Sequence, residues 1–377
     1  MAHKKQLLFV HGSNDLYGAS RILIQVLSIL QATSLYQLHI ILPYKGPLDA
    51  VLKEKGVTVS YKNLGVLRKK YISFFGLLNR GFKIISAVLF IKRYCKKNKI
   101  TMVYTNTSVI LSAAIAAKIS GITHYTHVHE IPNDGLYAKG IGRFISWTST
   151  KIIVVSDAVK KHWEKYVPAA KIDRIYNGLA HPPTANNANA GAKKNELIIT
   201  AVGRIIPSKG HAYLVEVARV VNQQLPNARF WIVGDTFRGY EYYEKEVRQK
   251  VIDYGLQEVV LFKGFQSNIE AILAETTVFF HPATTPDPFP TVLLEAVAAK
   301  VPLVCTNLGG AIEITNYGKA GVLVPEDEAQ KAAELLLDFI SNEAKQKQNV
   351  INATAHFNDI CNYAAFEANI IQFFTTT

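Results

Sequence analysis

Two carboxylates, Asp287 and Glu295, stand eight positions apart in the stretch His281–Glu313, HPATTPDPFPTVLLEAVAAKVPLVCTNLGGAIE. Asp287 sits between Pro286 and Pro288, with Pro290 close behind. Prolines fix φ and remove backbone donors, so this loop joins neither a helix nor a sheet ladder. Thr291–Ala299 holds helix formers and no glycine, which predicts a helix that starts at Thr291 and carries Glu295. A helix start leaves backbone N–H groups pointing outward and makes an anion site. After Pro302, LVCT reads as a short buried strand. Gly309 and Gly310 then allow bare backbone to approach a ligand. The chemistry of the stretch suits a nucleotide sugar.

A second group lies in GRIIPSKG, Gly203–Gly210. Arg204 and Lys209, with a glycine-rich turn at a helix start, can neutralise a pyrophosphate that becomes a leaving group. Earlier in the chain, HYTHVHEIP brings His124, His127 and His129 together with Glu130. Alternating positions at a strand end supply at most a loose pair of ligands, so no metal site is expected. His129 can hydrogen-bond a hydroxyl or balance developing charge, or it can be a satisfied strand-end histidine. The loop HGSNDLYGAS has only Gly12 and Gly18, and so is not G-x-G-x-x-G. Gly18, near a helix start, brings bare backbone to a phosphate or an acceptor, or simply makes a tight turn.

The elements that position these residues repeat one order. Leu7–Val10 reads as a buried strand, followed by the glycine loop and the helix RILIQVLSILQ. Further strands are expected at Leu38–Leu42 and Met102–Thr107, and a glycine-stopped helix at Val109–Gly121. Lys151–Trp163 reads as a strand and then a helix with Ser156 as N-cap. Residues 181–195, HPPTANNANAGAKKN, lack apolar periodicity and read as a linker. The second half opens again with a strand, Leu197–Gly203, and continues with strands at Phe230–Asp235, Val259–Phe265 and Val278–Pro282. Strand, glycine loop, helix is the opening of a doubly wound unit, and the chain has two such openings.

DPFPTVLLEA, followed by the GG-x-x-E of Gly309–Glu313, resembles the signature of retaining glycosyltransferases of family four, which have the GT-B fold. The family motif is Glu-x7-Glu; here Asp287 stands at the first acid and Pro290 at the usual glycine. The resemblance implies that Glu295 binds the nucleotide ribose and Asp287 the donor sugar hydroxyls. It places Arg204 and Lys209 on the donor diphosphate, and backbone groups near Gly264 and Phe265 on the base. His129-Glu130 matches the family's strand-end His-Asp or His-Glu, which implies that His129 contacts the donor sugar near the reacting carbon. The Asn-Gly of IYNGL, Ile175–Leu179, matches the turn that closes the first domain.

Composition sets the outer bounds. A chain of 377 residues is long for one core, and 49% hydrophobic content supports globular packing. Cys95, Cys305 and Cys361 show neither pairing nor metal spacing, which fits a reducing compartment. The apolar run LLFV is too short for a signal peptide, and Ile84–Ile91 is too short to span a membrane. Thirteen Lys and Arg and no acidic residue lie between Glu54 and Glu130, as many as the whole net charge of +13. The segment 62–99 sets Arg68, Lys69 and Lys70 beside Tyr71, Phe74 and Phe75, a composition suited to an anionic membrane surface. A solvated basic back on a core-facing helix is the other reading; no nucleic-acid module is recognisable.

These observations predict an α/β protein of GT-B type, with two Rossmann-like doubly wound domains facing each other across a cleft. Expected bounds are 1–180, a linker at 181–195, 196–355, and a C-terminal helix at 356–377 returning to the first domain. The expected reaction moves a sugar from a nucleoside diphosphate, such as a UDP- or GDP-sugar, to a hydroxyl of a glycan or lipid-linked acceptor, with no metal or other cofactor. Retention rests on the resemblance alone. The expected location is cytoplasmic, peripheral at the inner face of a membrane. A sugar-nucleotide epimerase of the same fold and a nonenzymatic polyanion binder are the alternatives.

Overall fold

The computed structural model describes residues 4–66, 74–180 and 196–376. Arg68–Tyr71 of the basic segment and the expected linker 181–195 lie outside the described residues. The chain divides into two units, Met1–Asn177 with Ala364–Thr377, and Gly178–Tyr363.

In the first unit, β1 (Lys5–Val10), β2 (Tyr36–Leu42), β3 (Thr58–Tyr61), β4 (Met102–Thr105), β5 (Thr123–Val128), β6 (Lys151–Val154) and β7 (Ile172–Arg174) form one parallel sheet. Its order is β3-β2-β1-β4-β5-β6-β7. Leu7–Val10 are fully buried, as strands covered on both faces require. The helices are α1 (Gly18–Ala32), α2 (Pro47–Glu54), α3 (Phe74–Lys97), α4 (Leu111–Ile119), α5 (Leu136–Thr148) and α6 (Asp157–Trp163). Ile22, Leu23, Val26, Leu27 and Leu30 make the buried stripe of α1. Parallel crossovers are right-handed, and the chain reverses its direction across the sheet between β3 and β4. Consequently α1 and α2 cover one face, while α3, α4 and α5 lie side by side on the other. Contacts of α3 with α4, and of α4 with α5, agree with that order.

The second sheet is also parallel. It runs β10 (Val260–Gly264), β9 (Ala228–Val233), β8 (Leu197–Val202), β11 (Val278–His281), β12 (Leu303–Thr306), β13 (Val322–Val324). Leu214, Val217 and Val221 of α7 (His211–Gln224) pack with Phe230, Phe280 and Leu336 in its core. Further helices are α8 (Glu241–Asp253), α9 (Ile269–Glu275), α10 (Thr291–Ala298), α11 (Gly310–Ile314) and α12 (Ala329–Ser341).

The chain ends in two helices, α13 (Glu343–Ile360) and α14 (Tyr363–Thr376). Asn349 Oδ1 accepts from Leu303 N at 3.1 Å, and His356 Nε2 lies 2.8 Å from Glu313 O, so α13 stays with the second unit. The changeover therefore falls near Tyr363 and later than residue 356. On α14, Phe373 and Phe374 pack on Tyr125, Phe374 also meets Tyr36 and Tyr104, and Tyr36 OH donates to Phe374 O at 2.9 Å.

Candidate functional site

Each unit gathers polar side chains where its strand order reverses. Outside the carboxyl ends of such strands the flanking loops diverge, leaving room for a ligand. In the second unit the reversal falls between β8 and β11. Gly203, Arg204 and Lys209 follow β8, while His281 ends β11 and the proline loop carries Asp287.

Lys209 Nζ donates to Asp287 Oδ2. A single 3₁₀ turn, Pro207–Lys209, presents the lysine, and Gly210 ends it at φ 73°. A Cβ at Gly210 would overlap Pro282 O, so only glycine lets this turn lie against the end of β11. Thr284 Oγ1 donates to Pro207 O at 3.0 Å and fastens the same contact. On the other side, Gly310 N donates to Asp287 O at 2.8 Å, and Gly309, at φ 57°, leaves no room for a Cβ beside the Asp287 backbone. Asp287 is thus held by its side chain and by its main chain.

Burial alone would raise the Asp287 pKa, but Lys209, His281 and Arg204 together hold it below the usual carboxylate range. Asp287 is therefore charged at neutral pH. His281 Nε2 lies 3.6 Å from Asp287 Oδ2. Burial lowers His281 to about 4 and His211 to about 3, with Lys209 acting in the same direction on both, so both rings are neutral. Arg204 places its guanidinium 4.9 Å over the Phe237 ring.

Glu295 is buried on α10, whose first residue is Thr291. Leu293 N donates to Pro290 O at 3.0 Å, and the Thr291 and Val292 amides precede the first intrahelical acceptor. Gly203 N donates to Val233 O at 2.9 Å and Gly234 N to Gly264 O at 2.8 Å. Gly203, Gly234 and Gly264 consequently end three neighbouring strands together. The Phe265 amide is engaged by Asp235 Oδ1 at 3.0 Å. The structure thus brings together Gly203, Arg204, Lys209, Asp287, Gly309 and Gly310, with Gly264 and Phe265 farther along the same sheet edge.

In the first unit the reversal falls between β1 and β4. His11 follows β1, Asn106 follows β4 and His129 follows β5. Asn106 Nδ2 lies 3.2 Å from His11 Nδ1, and Asn106 Oδ1 lies 3.0 Å from His129 Nε2. The amide assignment makes His11 Nδ1 an acceptor and His129 Nε2–H a donor. His11 Nε2–H then faces Ser20 Oγ at 3.0 Å and Ser13 Oγ at 3.1 Å. Burial lowers His11 to about 4 and His129 to about 3. A neutral His129 keeps Nδ1 as an acceptor and brings no resident positive charge.

Glu130 has another task. Its Oε1 accepts from Thr107 Oγ1, and its Oε2 from Ser108 Oγ at 3.2 Å and from His129 N at 3.2 Å. It ties the end of β5 to the loop after β4 and orients His129 through the backbone. Gly18 opens α1, where Asp15 Oδ1 accepts from Tyr17 N at 3.2 Å and Ser20 Oγ at 3.0 Å. His127 Nδ1 pairs with Tyr104 OH, and His124 Nε2 lies 2.7 Å from Thr105 Oγ1. Among the described residues no group of three His, Cys, Asp or Glu is placed to hold a metal ion, and no helix is long and apolar enough to cross a membrane.

Residues 184–356 match the family described as Glycosyl transferases group 1, and residues 25–181 match Glycosyltransferase Family 4. The chain belongs to the glycosyltransferase superfamily. This transferase is 26% identical over 312 residues to the Escherichia coli UDP-Gal:alpha-D-GlcNAc-diphosphoundecaprenol alpha-1,3-galactosyltransferase, covering 76% of this chain and 78% of that protein. It is 29% identical over 195 residues to the amylovoran biosynthesis glycosyltransferase AmsK of Erwinia amylovora, covering 50% of this chain and 46% of AmsK. In fold it is similar to Anabaena HepE in complex with UDP and glucose, with TM-score 0.80, 22% identity and 100% of both chains covered. WaaG, a glycosyltransferase involved in lipopolysaccharide biosynthesis, gives TM-score 0.73 at 15% identity over 99% of this chain and 100% of that one. Both likenesses establish the GT-B fold of the transferase.

Sequence reasoning missed His11, Asn106, His211 and His281 as members of these clusters. Asn106 is the next-to-last residue of the expected strand MVYTNT and directly follows the observed β4, and a polar residue at that carboxyl end was the one available signal.

Proposed function

We propose that this transferase moves a sugar from a nucleoside-diphosphate sugar to a hydroxyl of a glycan or lipid-linked acceptor in polysaccharide assembly. The observation that carries the reading is the Lys209–Asp287 pair beside Arg204, at the strand-order reversal of the second sheet. The relatives support it: the E. coli relative is a UDP-Gal galactosyltransferase, and the HepE structures hold UDP or UDP-glucose.

In this reading Arg204, Lys209 and the first amides of α10 at Thr291 neutralise the diphosphate as it leaves. Glu295 accepts from the ribose hydroxyls. Backbone groups at Gly203, Gly264 and Phe265 line the base and its ribose. Asp287 and the Gly309–Gly310 backbone orient the sugar. In the first unit, His129 has the role the resemblance implies, with Nδ1 as the acceptor for a hydroxyl, and Gly18 leaves bare backbone for the acceptor. The bond from the anomeric carbon to the diphosphate oxygen breaks, and a bond to the acceptor oxygen forms. The acceptor proton passes to the departing phosphate oxygen on the same face, which gives retention. Arg204 and Lys209 supply the positive charge that a metal ion would otherwise bring.

A thermal-shift screen with UDP, GDP, dTDP and their sugars tests the site, because a ligand that binds the native state raises stability by mass action. At least one nucleotide is expected to shift the wild type, and the shift is expected to vanish in Lys209→Ala. Turnover that persists in EDTA, with the product's anomeric configuration read by NMR, tests the remaining two features. No shift and no turnover with any donor would remove the proposal.

A further inference from the structure

We propose that the outer surface of α3, α4 and α5 docks flat on an anionic lipid bilayer. These three adjacent helices carry nine Lys and Arg and no Asp or Glu. Their solvent side is also unusually apolar. Phe82, Ile85 and Leu89 follow one another along the outer face of α3, with Phe82 75% exposed. Residues at this spacing share one helix face. Lys92, Arg93, Lys96 and Lys97 continue that face and are exposed. On α5 the same spacing rule aligns Leu136, Lys139, Arg143 and Trp147; Leu136 is 90% exposed and Trp147 57%. Between them, α4 ends in exposed Lys118 and Ile119, and Lys118 Nζ sits 5.8 Å over the Trp147 ring.

A solvated basic surface accounts for the charges but not for six large apolar side chains standing among them. An apolar surface for a protein partner would account for the side chains but not for the absence of every acid. A bilayer with anionic headgroups accounts for both. Lysine and arginine are attracted to the headgroup layer, and apolar side chains enter the boundary beneath it. Tryptophan, apolar with one polar edge, is the side chain most suited to that boundary.

The three tryptophans make the test direct. Trp163 is fully buried and Trp231 nearly so, which leaves Trp147 as the tryptophan a lipid can reach. The full chain is sedimented with phosphatidylcholine vesicles, and with vesicles containing phosphatidylglycerol brominated on the acyl chains. Binding is expected only with phosphatidylglycerol, weakening as salt rises, with bromine quenching of the tryptophan emission that Trp147→Phe abolishes. Replacing Lys92, Arg93, Lys96 and Lys97 by Gln is expected to weaken binding by about a hundredfold or more. The combination Phe82→Ser and Leu136→Ser is expected to reduce binding and quenching while circular dichroism stays unchanged. Salt-sensitive binding without quenching would mean contact with polyanions alone, and displacement of that contact by duplex DNA would assign the surface to nucleic acid; either result overturns the proposal, as does failure to bind. The assay uses no donor, so its outcome is independent of the donor assignment.

Discussion

Lys209 and Asp287, 78 positions apart in the chain, form an ion pair beside Arg204, so the donor cation and the loop acid act as one unit. Removing the lysine leaves Asp287 charged in a largely desolvated place. Lys209→Ala is expected to lower kcat/KM by about a hundredfold or more, the scale of losing one preorganised charge stabiliser. The double variant Lys209→Ala with Asp287→Asn is expected to be more stable than additivity predicts, by about 1–3 kcal/mol. Urea unfolding of the four proteins in the cycle checks this. Strict additivity would show that the two side chains are not coupled.

The Asp287 carboxyl also sets an acid limit. Its pKa lies below the ordinary value of 3.8 in the folded protein, so its stabilising contribution is complete above that value. The contribution is lost as pH falls below 3.8 toward the folded value. Asp287→Asn is expected to lose part of the stability near neutrality and to show a flatter decline in that low range, measured by urea unfolding at a series of pH values.

His11 gives the opposite case. Its folded pKa is about 4 against 6.5 when exposed, so below 6.5 the unfolded chain takes up a proton that the folded chain refuses. Stability should fall by about 1.4 kcal/mol per pH unit for this one group between 6.5 and 4. His11→Gln should be less stable at pH 7, and its stability should decline less steeply with acid by that amount. An unchanged slope would show that His11 is protonated in the native state.

Gly309 tests the backbone clamp. Gly309→Ala is expected to cost about 1–3 kcal/mol, because φ is positive and the new Cβ meets the Asp287 main chain. Thermal unfolding measures the loss, and the nucleotide-induced shift should fall with it. A stable variant with an intact shift would place the clamp outside the site.

Glu295→Gln keeps the side-chain volume and removes the charge. Nucleotide affinity is expected to weaken by about ten- to a hundredfold, the range for hydrogen bonds to a charged group. Isothermal titration with the nucleotide chosen by the thermal-shift screen measures it. Unchanged affinity would remove Glu295 from ribose binding.

The second cluster was largely readable in the sequence, and the first was not. Gly203, Arg204 and Lys209 lie within seven residues, and Asp287 to Gly310 within one stretch, so local rules already place loop, helix start and glycine turn. The first cluster joins His11, Asn106 and His129 across 95 and 23 positions, and no local pattern couples them. His211 and His281 were overlooked because each also reads as part of a helix or strand. Their chemistry appears only once β8 and β11 become neighbours. Similarly, the charge of the region before Glu130 was visible by counting, whereas its apolar ridge depends on which side of α3 and α5 the core takes up. The late changeover at Tyr363 was hidden because α13 is largely polar and shows no apolar stripe that commits it to one unit, and Asn349 and His356 decide the matter through hydrogen bonds.

During synthesis, α14 leaves the ribosome only after the entire second unit has been made, yet Phe373 and Phe374 close the aromatic layer over Tyr36, Tyr104 and Tyr125. A nascent chain therefore carries an unfinished N-terminal core for most of its translation, with these rings open to chaperones and to one another. Premature termination anywhere in α13 would leave that gap permanently unfilled, and such fragments should aggregate through the half that was translated first.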